Sequence, residues 1–207
     1  MQELQPYRYR VLEKSNDQLV VFNWWLGLEQ RKGERAALRR CENLEASLQI
    51  LAMQRLRYAL AKTEIQVSEA AIAAVALLLA EIRRPVFLLD KPDSEWFNAL
   101  MQEAPQSLAT KMGGERESGA KKPLISELRF QRLLQSAMQD HDDFITQLRR
   151  IVKQFAKVTL NPIMMADQVF YRFRTIKDPD IYTRARSFNY LLAKDYYQEV
   201  LTYTENN

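Results

Sequence analysis

Apolar residues recur along this chain with the spacing of helices. In residues 17–30, DQLVVFNWWLGLEQ, Leu19, Phe22 and Leu26 fall at i, i+3 and i+7, and Val21, Trp25 and Leu28 repeat beside them. A face this broad predicts a helix covered on more than one side. Gly33 reads as a break, after which ERAALRRC restarts with strong helix formers. Leu44, Leu48, Leu51, Leu56 and Leu60 line a further helix. Ser68 stands where it can cap the next, whose Ile72, Val75 and Leu79 face inward. Asp93 or Ser94 opens a short helix carrying Trp96, Phe97, Leu100 and Met101.

Residues 104–123, APQSLATKMGGERESGAKKP, interrupt the rhythm with three of the chain's five glycines and prolines near both edges. This predicts a loop and a boundary: an N-terminal helical lobe over 1–105, a flexible basic loop over 106–123 and a C-terminal bundle over 124–207. Beyond it, Ser126 starts a helix with Phe130, Leu133, Leu134 and Ala137 on one face. Asp142 or Asp143 caps the most amphipathic segment, in which Phe144, Leu148, Ile151, Val152 and Phe155 fall at i, i+4, i+7, i+8 and i+11. Asn161-Pro162 and Asp178-Pro179 each place a capping side chain before a proline at the first helical position. The last helix then runs from about Pro179 towards Tyr203, with Ile181, Ala185, Phe188 and Leu192 inward. No alternating run of β-branched residues argues for a sheet, so the fold class is all-α, a two-lobed helical bundle protein.

Composition adds limits. With 47% hydrophobic residues the chain can build a packed core, which argues against disorder throughout. Its longest apolar run, residues 70–80, has eleven residues, well short of the roughly 20 that span a bilayer. The opening MQELQPYRYR has no apolar stretch of the signal-peptide kind, and Cys41 has no second cysteine to pair with. Together these predict a soluble protein of the reducing cytoplasm, without membrane partners.

The net charge of +4 resides wholly in residues 104–207. Within 147–177, Arg149, Arg150, Lys153, Lys157, Arg172, Arg174 and Lys177 face a single acid, Asp167. Residues 30–41, QRKGERAALRRC, form a second cluster with Arg31, Lys32, Arg35, Arg39 and Arg40 against Glu34. Clusters of this kind point to an anionic partner better than a total does. At about 100° per residue, Arg149, Lys153 and Lys157 share one side of a helix, roughly opposite its apolar face. The stripe would be roughly 12 Å long, enough for about two backbone phosphates. No acid lies between Gln147 and Lys157, whereas ordinary solvated faces mix their signs. Phe170, Tyr171 and Phe173 interleave the Arg172/Arg174 cluster, and that spacing belongs to core residues more often than to base-stacking platforms.

Catalytic chemistry finds little support. His141-Asp142 is the one pair resembling a metal centre, but the chain has no other histidine to complete it. An acidic helix-capping cluster accounts for the same residues. There is no Gly-rich phosphate loop, no dinucleotide fingerprint and no G-x-S-x-G elbow. The expectation is no enzyme, no metal and no cofactor.

GERAALRR at 33–40, the stretch from Ser126 to Phe155 and AKDYYQ at 193–198 together resemble the CasB family, the small helical subunits of the type I-E CRISPR surveillance complex, Cascade. GERAALRR (33–40) is similar to that family's G-x-x-A-x-[LI]-R-R signature. SELRFQRLLQSAMQDHDDFITQLRRIVKQF (126–155) resembles its central helix, acidic turn and helix ending L-R-R, and AKDYYQ (193–198) its closing aromatic helix. The chain departs from the pattern at Phe170 and Phe188, where relatives often carry tryptophan, and in length around 64–123. The resemblance implies an all-α, non-catalytic protein present as two copies in a ribonucleoprotein. Its partners would be the other Cascade subunits, CRISPR RNA and the displaced strand of target DNA.

The residues expected to bind nucleic-acid backbone are Arg39, Arg40, Arg129, Arg132, Arg149, Arg150 and Lys153. Arg35, Lys121, Lys122, Lys157, Arg172 and Arg174 are secondary. Arg39, Arg40, Arg129, Arg149 and Arg150 come from the resemblance; Arg132 and Lys153 come from helical geometry. The alternative is a helical scaffold whose basic residues meet acidic protein neighbours.

Overall fold

The computed structural model describes residues 8–83, 92–102, 106–155, 160–178 and 186–205. Among them are eleven helices and no strand: α1 (Ser15–Gln30), α2 (Lys32–Arg40), α3 (Leu44–Ser47), α4 (Leu51–Leu60), α5 (Glu69–Leu79), α6 (Asp93–Gln102), α7 (Leu108–Gly113), α8 (Glu127–Gln139), α9 (His141–Gln154), α10 (Pro162–Lys177) and α11 (Phe188–Thr204). The all-α expectation holds.

Two helices form the centre. α5 is buried on every side from Ala71 to Leu79, not only at Ile72, Val75 and Leu79. Alanine both favours helix and keeps the cylinder thin, so neighbours can close around it. Ser68 caps it, its Oγ accepting from the Ala71 N–H. α10 lies against α5 and is almost as deeply covered. Asn161 caps α10 by accepting from the Ile163 and Met164 N–H groups, and Pro162 occupies the first turn, where no donor is lost. α1, α3, α4 and α9 pack around this pair, and buried side chains from both halves of the chain join in one apolar cluster.

Asp167 is fully buried on α10 and accepts from the backbone N–H groups of Arg10, Val11 and Leu12 at 2.7–3.1 Å. An acid in the interior needs such donors. It straps the N-terminal segment to the centre, and Gln18 secures the strap by donating to the Leu12 carbonyl.

Several local expectations change. The first break falls at Arg31, with Gly33 inside α2. The single leucine-lined helix over 44–60 divides into α3 and α4, and Leu51 is exposed. Asp140, not Asp142 or Asp143, caps α9, because its carboxylate accepts from both of their N–H groups. Asp178 ends α10; residues 179–185, including Ile181 and Ala185, lie outside the described residues, and Ser187 caps α11.

The expected loop is half structured. α7 is buried within it, and α11 crosses so closely that a Cβ on Gly113 would meet the Tyr196 carbonyl oxygen at 2.6 Å. Residues 114–125 then fold as a hairpin, closed by Leu124 N–H to Gly114 O at 2.8 Å and Arg116 N–H to Lys122 O at 2.9 Å. Gly119 supplies the left-handed turn (φ +81°), and Lys121, also left-handed, donates its N–H to the Glu115 carboxylate. The tyrosines of α11 hold the base: Tyr196 donates to Ile125 O, Tyr203 to Gly113 O and Tyr197 to Glu127.

Candidate nucleic-acid interface

Two Leu-Arg-Arg triplets, 38–40 at the end of α2 and 148–150 on α9, meet at one acid. Leu38 and Leu148 are buried and anchor their helices. The first arginine of each triplet turns to Glu81, which follows the end of α5. Arg39 Nε lies 3.1 Å from Glu81 Oε2, and Arg149 Nη2 lies 2.9 Å from Oε1. Lys153 Nζ stands 3.5 Å from the same Oε1. The Glu81 side chain is only 1% exposed, so three cations share a carboxylate shut off from water, and positive charge remains in excess. The second arginines, Arg40 and Arg150, are exposed and have no ion-pair partner among the described residues.

Arg149 does more than pair. Its Nη1 donates to Cys41 O at 2.7 Å and its Nη2 to Arg39 O at 2.5 Å. These carbonyls lie at the C-terminal end of α2, where helices leave acceptors unsatisfied and a cation is favoured by the dipole. At 12% side-chain exposure, Arg149 is a fastening between helices and not a free member of a basic stripe. α9 ends at Gln154, and Lys157 lies outside the described residues.

The second cluster lies where the hairpin meets the bundle. α8 and α9 fold back on each other, so that Arg129 near the start of α8 donates to Gln154 Oε1 at the end of α9, at 2.7 Å. Between this pair and the hairpin opens a groove of about 670 Å³ lined by Arg116, Lys122, Leu124, Ser126, Arg129 and Gln154 among others. No acid lines it. Around α9, at about 100° per residue, the order Arg149, Lys153, Arg150, Gln154 leads stepwise from the Glu81 junction to this groove. Arg132 is exposed one turn along α8 from Arg129, and Lys121 is exposed beside Lys122 in the hairpin.

Other expected cations are committed to the interior. Arg172 is 1% exposed. Its Nε and Nη2 donate to Ala137 O at 3.1 and 2.9 Å, and its Nη1 lies 2.9 Å from His141 Nδ1. The guanidinium also stacks on Phe144 at 4.1 Å, and burial pulls its pKa down to about 10. It therefore cannot reach a ligand outside. Arg35 is likewise consumed, by the Ala80 and Ile82 carbonyls and Glu29. Arg174 is half-buried near the end of α10. Phe170, Tyr171 and Phe173 are core, as their spacing suggests.

His141 packs on Phe173, and burial, with Arg172 second, holds its pKa below the usual imidazole value. Asp142 accepts from the Leu44 N–H, and no group of three metal-binding side chains occurs among the described residues.

Sequence reading misses Arg116, Gln154 and Glu81 as parts of these clusters. The only signal for Glu81 is its place immediately after an eleven-residue apolar run. No helix among the described residues is long and apolar enough to cross a membrane. Comparison with curated proteins and with solved structures returned no match. The family model of the CRISPR-associated protein Cse2 matches residues 34–197, a span that holds both triplets, Glu81 and every named residue of the groove. The chain belongs to the Cse2 family, subunits of the type I-E CRISPR complex Cascade.

Proposed function

We propose that this subunit is non-catalytic and grips the sugar-phosphate backbone of single-stranded nucleic acid, steadying the displaced DNA strand while guide RNA pairs with the target. The observation that carries this reading is the groove holding Arg116, Lys122 and Arg129, with no acid lining it among the described residues, continued over α9 by the exposed Arg150. Cations without an internal acid keep their counter-charge in solution, and backbone phosphates can take that place. Contacts to phosphate position a strand without reading its sequence. Exchange of a DNA duplex for an RNA–DNA duplex is nearly balanced, so a few such contacts can tip it. In the cytoplasmic complex a second copy would extend the path, with residues 106–123 marking the border between two helical halves.

Binding of an oligothymidine strand at several salt concentrations tests the reading. Replacing Arg116, Lys122 and Arg129 by Gln is expected to lower the log–log salt slope by about 0.7 for each phosphate no longer held, about 2 in all. An unchanged slope would return the chain to the alternative, a helical scaffold that meets only protein.

A further inference from the structure

The two triplets are built alike, and the likeness converges on one atom group. In each, the leucine is buried, the first arginine binds Glu81 and the second is exposed. We propose that Glu81 is a positioning residue: it joins the end of α2 to α9 so that Arg40 and Arg150 face the same nucleic-acid strand. This rests on the backbone-binding reading above.

The role is mechanical. α2 has nine residues, too few to be stable alone in water. Its C-terminal carbonyls are held by Arg149, and Arg149 is itself oriented by Glu81 through Nε at 3.1 Å and Nη2 at 2.9 Å. Arg39 approaches the other carboxylate oxygen from α2. Each exposed arginine therefore starts about 3.8 Å along the backbone from an anchored one. Two guanidiniums on separate helices acquire a fixed relation without touching each other. Take away the carboxylate, and Arg39, Arg149 and Lys153 are like charges crowded at one point, which drives α2 and α9 apart.

Glu81 touches no ligand in this scheme. It is nearly shut off from solvent, so a phosphate cannot simply replace it. The negative charge weakens the field that attracts a strand, while its geometry strengthens the grip. Those two influences have opposite signs, and that makes the idea testable.

The experiment is the salt dependence of oligothymidine binding by the full chain, measured well below each variant's melting temperature. Arg40→Gln with Arg150→Gln should lower the slope by about 1.4, two phosphates at about 0.7 each. Should that double variant leave the slope unchanged, the grip at these residues fails, and the positioning role fails with it. Glu81→Gln raises the net charge by one, so a pure field effect predicts tighter binding. The positioning role predicts weaker binding, with the slope down by about 0.7. Equal or tighter binding by Glu81→Gln, beside a reduced slope for the double variant, overturns the positioning role and leaves the grip standing. Glu81→Asp guards against loss of folding, because it keeps the charge and withdraws the carboxylate by one methylene. It should also weaken binding, and unchanged binding by that variant counts against the role.

Discussion

Around Glu81, Arg39, Arg149 and Lys153 share one carboxylate closed off from water; in the groove beside α8, Arg116, Lys122 and Arg129 gather with no acid among them. Both regions are rich in cations, yet they serve different ends. At the junction the carboxylate and Arg149 are covered while Arg39 and Lys153 stay partly exposed, and their shared pairing joins three helices. In the groove the cations remain available to solvent and its anions. A cationic cluster thus signals a binding surface only after its internal acids have been found.

The sharpest way to break the contrast is Glu81→Ala. Arg149 would be left covered and without its counter-charge, at an expected loss of about 3–5 kcal/mol in urea denaturation. A loss below about 1 kcal/mol would put the junction in the class of exposed ion pairs, and the distinction would collapse. Arg172→Ala comes next. It removes two hydrogen bonds to Ala137 O and the plate stacked on Phe144, so about 3 kcal/mol should go. Its salt slope for strand binding should stay at the wild-type value, since the residue never meets solvent. The groove variant with Arg116, Lys122 and Arg129 changed to Gln should do the reverse, losing affinity while its melting temperature stays within a degree or two.

The smallest effect concerns His141, which belongs to neither region. Its pKa is lowered in the fold by burial and then by Arg172, so the unfolded chain takes up the proton first. Stability should fall as pH drops below about 6.5 and on through the lowered folded value, with no contribution above that window. His141→Gln keeps an acceptor near Arg172 and should flatten the melting-temperature profile between pH 7 and 5. A profile as steep as wild type would assign that slope to other groups. At lower pH, Asp140 adds a further loss, because the Asp143 and Asp142 N–H groups hold its carboxyl below its ordinary value.

Local rules carried the sequence a long way. The Ser68 cap, the Asn161-Pro162 start and the apolar faces of α8 and α9 are decided within a few residues, and each was legible. Glu81 was not. It lies 68 residues from Arg149, so a window around α9 reports a stripe without acid when the fold supplies one. The same holds for Arg172, which reads as one basic residue among several until Phe144 and His141 are brought against it from α9. The hairpin escaped for a different reason: its glycines and lysines are what a disordered linker would also contain. Only the tyrosines of α11 and the crossing at Gly113 distinguish the two. Of the groove, Arg129 and Lys122 were legible as candidates, and their convergence was not.

The Asp167 strap also sets an order of events. The N–H groups that it binds leave the ribosome 155 to 157 residues before their acceptor does. At about 5–20 residues per second, that is a wait of roughly 8–30 s. Through that interval residues 10–12 have no buried carboxylate to close upon, however early the helices after them form. Residues 10–12 therefore gain their buried acceptor only after α10 has been made.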